Sequence, residues 1–282
     1  MNKLQRPDTD MDWPLVEKIA SDFAANGMVV SWLHEMGEPT LYSRLAEAVD
    51  LFPGCSVSTN AVRLDEEMGR DLLASSLWRL RLCIDTLNPE VYPIIRRGGS
   101  FAKVVNNIRR FLELSQGSSM RVEIQKMITL QTSAETLTEF EDFFEIKKYP
   151  QASIIEKTCE GLDTTDETDL HESFYGCFQG YPFRWFIVLA DGTVTHCCYD
   201  ANGLQPIGDM NEQTVEEILA SETISTYMNA FKKKDWQALP RCGECYSNAT
   251  GTKVVVDQLQ QLGHKLDRVA PIKKIARKII NR

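Results

Sequence analysis

Between Trp13 and Glu156 the chain alternates helical and strand patterns, and this alternation restricts the fold more than any other feature. Leu15, Val16, Ile19, Phe23 and Ala24 fall at helical spacing within residues 13–25, and Asn26-Gly27 closes that helix. Met28 to Leu33 reads as a buried strand that ends in His34-Glu35-Met36-Gly37-Glu38-Pro39. A helix over residues 41–51, broken by Pro53-Gly54, leads to a short strand from Cys55 to Asn60. A helix from Asp65 to Leu77 and a strand from Arg79 to Asp85 follow. Beyond Asn88-Pro89 and the basic turn Arg96-Arg97-Gly98-Gly99, Phe101 to Leu114 is again helical. The strand Arg121 to Leu130, the helix Ala134 to Phe144 and the strand Ala152 to Glu156 complete the run. Strands joined by helices pair in parallel through right-handed crossovers, as a barrel or an open sheet. Five strands are too few for a closed eight-stranded barrel. The expected fold is therefore α/β, an open partial (β/α) barrel over residues 1–160.

The pattern changes near Gly161. Residues 163–172 are acidic and polar, a linker or loop. Trp185 to Leu189 and Val194 then flank Ala190-Asp191-Gly192, and Asp-Gly between apolar runs signals a hairpin. Residues 214–220 and 224–231 read as helices, so 161–250 is expected to form a small α+β domain. The tail, 251–282, gathers Lys265, Arg268, Lys273, Lys274, Arg277, Lys278 and Arg282, with Ile272, Ile275, Ile279 and Ile280 on one helical face. Such a helix docks by its isoleucines and leaves its lysines in water, a reading favoured over contact with an anionic membrane surface.

Five of the eight cysteines lie between residues 177 and 245. Fourteen residues separate Cys177 from Gly192 and four more lead to Cys197, with Cys198 adjacent; Cys242-Gly243-Glu244-Cys245 follows after a gap. No apolar run is long enough to cross a bilayer, and Met1 to Asp12 lacks the apolar core of a secretion signal. A reducing, cytoplasmic setting is expected, where clustered cysteines are more often metal ligands than disulfides. The net charge of −9 argues against a nucleic-acid partner. A CxxC pair on one tight turn can face a single centre, and two thiolates from a hairpin can complete a four-sulfur cage. Structural zinc usually takes two knuckles, and only one is present, so the spacing favours an iron–sulfur cluster while leaving zinc open. Strand alternation would turn Cys198 away from Cys197 and into the core. Cys55, Cys83 and Cys159 read as small packed hydrophobes. His34, His171, His196 and His264 share no ligand spacing and take no role. Gly37-Glu38-Pro39 lies at a strand end, where βα proteins place ligand-binding groups.

Over roughly residues 10–250 the chain resembles a radical S-adenosylmethionine (SAM) enzyme with a C-terminal SPASM or twitch domain. His34-Glu35-Met36-Gly37-Glu38-Pro39 is similar to that family's GGEP loop, whose glutamate region contacts the SAM amino group. Ser58-Thr59-Asn60 is similar to its STNG strand end, with Ala61 in place of the glycine. Leu82-Cys83-Ile84-Asp85, Glu90, Tyr92, Arg96-Arg97-Gly98 and Phe101 resemble its fourth strand and the helix after it, although a serine is common where Cys83 stands. The resemblance implies SAM contacts at Gly37, Glu38, Pro39, Ser58 and Asn60. It also implies one auxiliary [4Fe–4S] cluster on Cys177, Cys197, Cys242 and Cys245, because no cysteine follows to hold a second. The family's CxxxCxxC loop, which carries the SAM-cleaving cluster, has no counterpart in these 282 residues. The expectation is an N-terminally shortened enzyme, ahead of a degenerate relative, that does not cleave SAM as it stands. A peptide or small-molecule substrate and an electron donor would be its partners. The rival reading is a non-enzymatic iron–sulfur or zinc protein serving as a binding or scaffold module.

Overall fold

The computed structural model describes residues 4–6, 9–158, 177, 184–235 and 237–243. Two helices come first, α1 (Trp13–Ala25) and α2 (Leu45–Leu51). Four strands follow, β1 (Ser56–Thr59), β2 (Arg79–Asp85), β3 (Arg121–Ile128) and β4 (Ala152–Thr158), forming one sheet in chain order. Each pair is parallel. The crossovers run through α3 (Glu66–Ala74), the short α4 (Tyr92–Ile95) with α5 (Phe101–Leu114), and α6 (Leu137–Phe143). Side chains start these helices by satisfying N–H groups that have no intrahelical partner. Asp65 accepts from Met68 N at 3.0 Å, Ser100 from Lys103 N at 3.4 Å, and Thr136 with Glu139 forms a capping box at α6.

Strand alternation divides the sheet into two unlike faces. Val57, Leu80, Leu82, Val122 and Ile124 are all fully buried, as are Val104, Ile108 and Leu112 of α5. Burying each such side chain contributes about 1.5–3 kcal/mol, so this face carries the fold of the sheet. The opposite face is polar. Arg79 Nε donates to Ser56 Oγ at 3.1 Å, and Nη1 of the same side chain reaches Glu123 at 3.1 Å. Arg81 forks onto Glu123 through Nε at 2.9 Å and Nη2 at 2.7 Å. Trp32 and Trp78 interleave with these cations: Arg79 lies 4.6 Å and 4.8 Å from the two ring centres, Arg81 4.3 Å from Trp32, and Arg121 5.4 Å from Trp78. Parallel sheets are normally apolar on both sides. Here one side is held by ion pairs and cation–π contacts instead.

The strand expected over Met28 to Leu33 is reduced to a single bridge, Trp32 to Ser56. Two hydrogen bonds make it, Ser56 N to Ser31 O at 3.0 Å and Leu33 N to Ser56 O at 2.9 Å. Val29 is 80% exposed, so the start of this apolar run does not report a buried strand. Short apolar runs carry no period that would reveal this in advance.

A second sheet, in the order β5 (Ile187–Val188), β6 (Thr193–Thr195) and β7 (Gly208–Asp209), contains the Asp191-Gly192 hairpin. Gly192 has φ +92°, and a Cβ there would stand 2.1 Å from Asn211 Nδ2. Helices α7 (Val215–Leu219), α8 (Glu222–Lys233) and α9 (Pro240–Gly243) follow. The chain divides into two compact units. The first takes residues up to Glu160 with Val188–Thr193 and Asp209–Glu217; the second takes Gly161–Ile187, Val194–Gly208 and the chain from Ile218 onward. Within the first unit, Lys18 of α1 donates to the carbonyls of Met210 and Gln213, and Val215 N donates to Asp22 at 2.7 Å. The acidic stretch 163–172, the basic tail, Cys159, Cys245, His171 and His264 lie outside the described residues.

Candidate functional site: a strand-end ligand site and a cysteine cluster

At the C-terminal end of β1 the structure brings the expected ligand residues together. Gly37 holds φ +126°, open only to glycine, and turns the chain so that Glu38 caps the 3-10 turn Pro39–Leu41. Glu38 Oε1 accepts from Thr40 N at 3.1 Å, Thr40 Oγ1 at 2.6 Å and Thr59 Oγ1 at 2.5 Å, while Oε2 accepts from Asn60 N at 2.7 Å. Three donors converge on Oε1 and one on Oε2. The Glu38 side chain therefore fastens the loop to the strand end.

Asn60 turns its own Oδ1 to Val62 N at 2.9 Å, and Ser58 Oγ contacts Cys83 Sγ at 3.1 Å. Ser58 N donates to Nδ1 of His34 at 3.4 Å, which requires the ring proton on Nε2. Burial first, then the nearby Arg81 and Lys157, pushes the His34 pKa down to about 4. Ala61 occupies the left-handed region at φ +58° although fully buried. Asn107 Nδ2 holds its carbonyl at 2.8 Å.

Further along the strand ends lies a group that sequence reasoning only partly reached. The register of β2 against β3 breaks between Cys83 and Asp85, and Asp85 takes φ +69°. Its carboxylate, 2% exposed, receives Arg96 Nε at 2.7 Å and Gln125 Nε2 at 2.9 Å. Lys126, also buried, pairs with Glu156 at 3.0 Å. Gln125 and Lys126 are adjacent in β3, between Ile124 and Met127, and that polar pair amid apolar neighbours was the available signal. Burial holds the Cys55 thiol at about 12 and the Cys83 thiol above its ordinary value, which fits packed, unreactive sulfurs.

In the second unit Cys177 packs against a buried apolar cluster of Ala230, Phe231, Leu239 and Cys242, with Tyr227 beside it. Cys197 follows β6. Cys198 was expected in the core and is instead exposed, because β6 ends at Thr195 and strand alternation no longer applies. A hydrogen bond that the Cys197 thiol donates to the Cys198 side chain, followed by burial, holds that thiol above its ordinary range.

His196, which the sequence left without a role, is buried, with its ring edge-on to Tyr227 and Phe231. Its Nε2 lies 3.8 Å from Cys242 Sγ and 3.3 Å from Gln205 Nε2, and burial lowers its pKa. Gln205 Nε2 is 3.7 Å from the same sulfur. The signal for these two residues was absent from the sequence, since 46 and 37 positions separate them from Cys242. Among the described residues no three His, Cys, Asp or Glu side chains gather to hold a metal ion, and Cys245 lies outside that set. The donor chemistry nevertheless fits an iron–sulfur group: two sulfurs share one apolar cluster, and an amide N–H is aimed at one of them.

Comparison with known proteins adds two family matches. The model of the radical SAM superfamily matches residues 2–129, and that of an iron–sulfur cluster-binding domain, SPASM, matches residues 177–246. The second match begins at Cys177 and closes one residue after Cys245. A probable GTP 3',8-cyclase from Methanocaldococcus jannaschii is 27% identical over 106 residues. That alignment takes in 36% of this chain and 34% of the relative, so the chain spans about a third of that relative's length. The solved structure of native anSMEcpe with bound AdoMet superposes with a TM-score of 0.64 at 15% identity, covering 97% of this chain and 92% of that one. Streptococcus suis SuiB bound to precursor peptide SuiA superposes with a TM-score of 0.57 at 16% identity, covering 87% and 67%. At these identities the two structures establish the fold, a parallel α/β sheet of radical SAM type with a small second domain.

Proposed function

We infer the function from what this chain is: a radical SAM superfamily protein that carries a SPASM iron–sulfur cluster-binding domain. Cys177, Cys197, Cys242 and Cys245 hold one auxiliary [4Fe–4S] cluster. The observation that carries this reading is the common packing of Cys177 and Cys242 around Ala230, Phe231 and Leu239, within the span of the SPASM match. When bound, such a cluster supplies one-electron transfer or an anchoring point for substrate. The chain's own residues provide the rest. The apolar cluster shields the Cys242 sulfur, which is 8% exposed, and Cys197 joins as a ligand from the turn after β6.

SAM is taken up at the strand ends, against the backbone of Gly37, Glu38 and Pro39 and beside Ser58 and Asn60. Glu38 holds that loop in place through its four hydrogen bonds. The solved relatives bind AdoMet and, in one case, a precursor peptide, which supports a peptide or small-molecule substrate and a SAM-dependent oxidoreductase reaction here. An electron donor completes the partners, and the location is cytoplasmic. No helix among the described residues is long and apolar enough to cross a membrane. SAM cleavage needs a cluster with one open iron, and the 282 residues contain no CxxxCxxC to hold it. These 282 residues hold the auxiliary cluster at the four cysteines and SAM at the strand ends.

The test is anaerobic reconstitution with iron and sulfide. About four of each per chain are expected, with an absorption band that dithionite bleaches. Cys177→Ser and Cys242→Ser should lower the iron content, and Cys198→Ser should leave it intact. SAM should bind to the reconstituted protein. Stoichiometric zinc without sulfide would overturn the cluster, and no SAM binding would overturn the strand-end site.

A further inference from the structure

Gln205 is 1% exposed, and every polar atom of its side chain has a partner. Its Oε1 accepts from Arg241 N at 3.1 Å. A backbone N–H can only donate, so this contact fixes which end of the amide is oxygen. Both hydrogens of Nε2 then point at acceptors: Cys242 Sγ at 3.7 Å and His196 Nε2 at 3.3 Å. Were the His196 proton on Nε2, two donors would face each other at 3.3 Å. The neutral ring must therefore carry its proton on Nδ1 and accept at Nε2. This excludes His196 as a donor to the nearby sulfur, despite its 3.8 Å approach, and leaves Gln205 in that role.

The amide is also held firmly. Asp200 accepts from Leu204 N and from Gln205 N, both at 2.8 Å, and the Arg241 guanidinium donates to Tyr199 O at 2.7 Å. The side chain thus spans from the loop after β6, which carries Cys197, to α9, which carries Cys242.

We propose that Gln205 is a positioning residue for the auxiliary cluster: its amide N–H donates to the Cys242 sulfur, ties the two ligand-bearing segments together and raises the reduction potential. Adding one electron to a cluster adds one negative charge that spreads onto its sulfurs. An N–H dipole aimed at a sulfur stabilises that reduced state more than the oxidised one. The proposal rests on Cys242 being a cluster ligand.

The experiment compares reconstituted wild type, Gln205→Met, Gln205→Glu and His196→Phe by iron and sulfide content and by an electron-paramagnetic-resonance redox titration. Gln205→Met keeps the volume and removes the donor, whereas Gln205→Glu keeps the acceptor for Arg241 N and places a second acceptor against the sulfur. Both should hold wild-type iron and titrate at more negative potentials, with His196→Phe moving less than either. Unchanged potentials at unchanged iron content would overturn the proposal, as would a larger shift in His196→Phe. Equal loss of iron from both Gln205 variants, with folding intact by circular dichroism, would also overturn it, because the role would then be structural alone. Failure of the cluster reading is seen separately, as wild type that binds no iron and sulfide.

Discussion

Glu38 is the residue on which the strand-end site depends most. It accepts from two hydroxyls and two backbone N–H groups, and hydrogen bonds to a charged acceptor are worth about 1.5–3 kcal/mol each. Glu38→Gln keeps the oxygen that takes three donors only by placing its NH2 at the Oε2 position, so Asn60 N loses its acceptor and the other three lose the charge. A loss of about 2–3 kcal/mol is expected in urea denaturation, with an unchanged slope and unchanged iron content. His34 makes stability depend on pH. Its folded pKa of about 4 lies below the ordinary 6.5, so the proton binds the unfolded chain more readily. The stabilisation is complete above pH 6.5 and is lost as pH falls towards 4, a decline of about 3 kcal/mol at 1.36 kcal/mol per unit. Denaturation midpoints at pH 7.5, 5.5 and 4.5 should show this slope, and His34→Gln should flatten it. That Glu38 and Asn60 meet at the end of β1 could be read from the sequence because each lies in a short motif at a strand end. Gln205 and His196 could not, because they act through a sulfur 37 and 46 residues away.

At the level of elements, the parallel strands and their crossover helices were legible because α3, α5 and α6 each start at a recognisable cap, at Asp65, Ser100 and Thr136. The segment from Met28 to Leu33 failed, since an apolar run of six residues looks the same whether it forms a full strand or a single bridge. Cys198 failed for a related reason: alternation predicts facing only while the strand lasts, and β6 stops at Thr195. The hairpin between β5 and β6 was correctly signalled by Asp191-Gly192. Its glycine is required twice, once for φ +92° and once because a Cβ would strike Asn211 at 2.1 Å. Gly192→Ala should therefore cost about 2 kcal/mol or more, read as a lowered melting temperature, whereas Gly27→Ala, with φ +64° and nothing within 4 Å of the added Cβ, should cost less.

For the whole molecule, two compact units mean that losing the cluster should be felt unevenly. A ligand that binds only the folded state stabilises it by about 2.7 kcal/mol at a hundred times its Kd. Stripping iron with a chelator under reducing conditions should speed amide hydrogen exchange in residues 194–208 and 218–243. The strands β1 to β4, whose core is Val57, Leu80, Leu82, Val122 and Ile124, should exchange as before. Exchange that rises equally in both units would show that the site is not confined to the second.

The two unlike faces of the four-stranded sheet carry a consequence for how such a chain changes over generations. One side holds the volume that keeps the sheet folded, while the side of Ser58, Arg81, Cys83, Glu123 and Gln125 is tied by polar pairs and by the contacts of its arginines with Trp32 and Trp78. Because neighbours along a strand point to opposite sides, a substitution on the polar side leaves the apolar layer untouched. Lineages can thus trade recognition groups in matched pairs, an arginine with its glutamate or a serine with its thiol, and inherit the same scaffold each time.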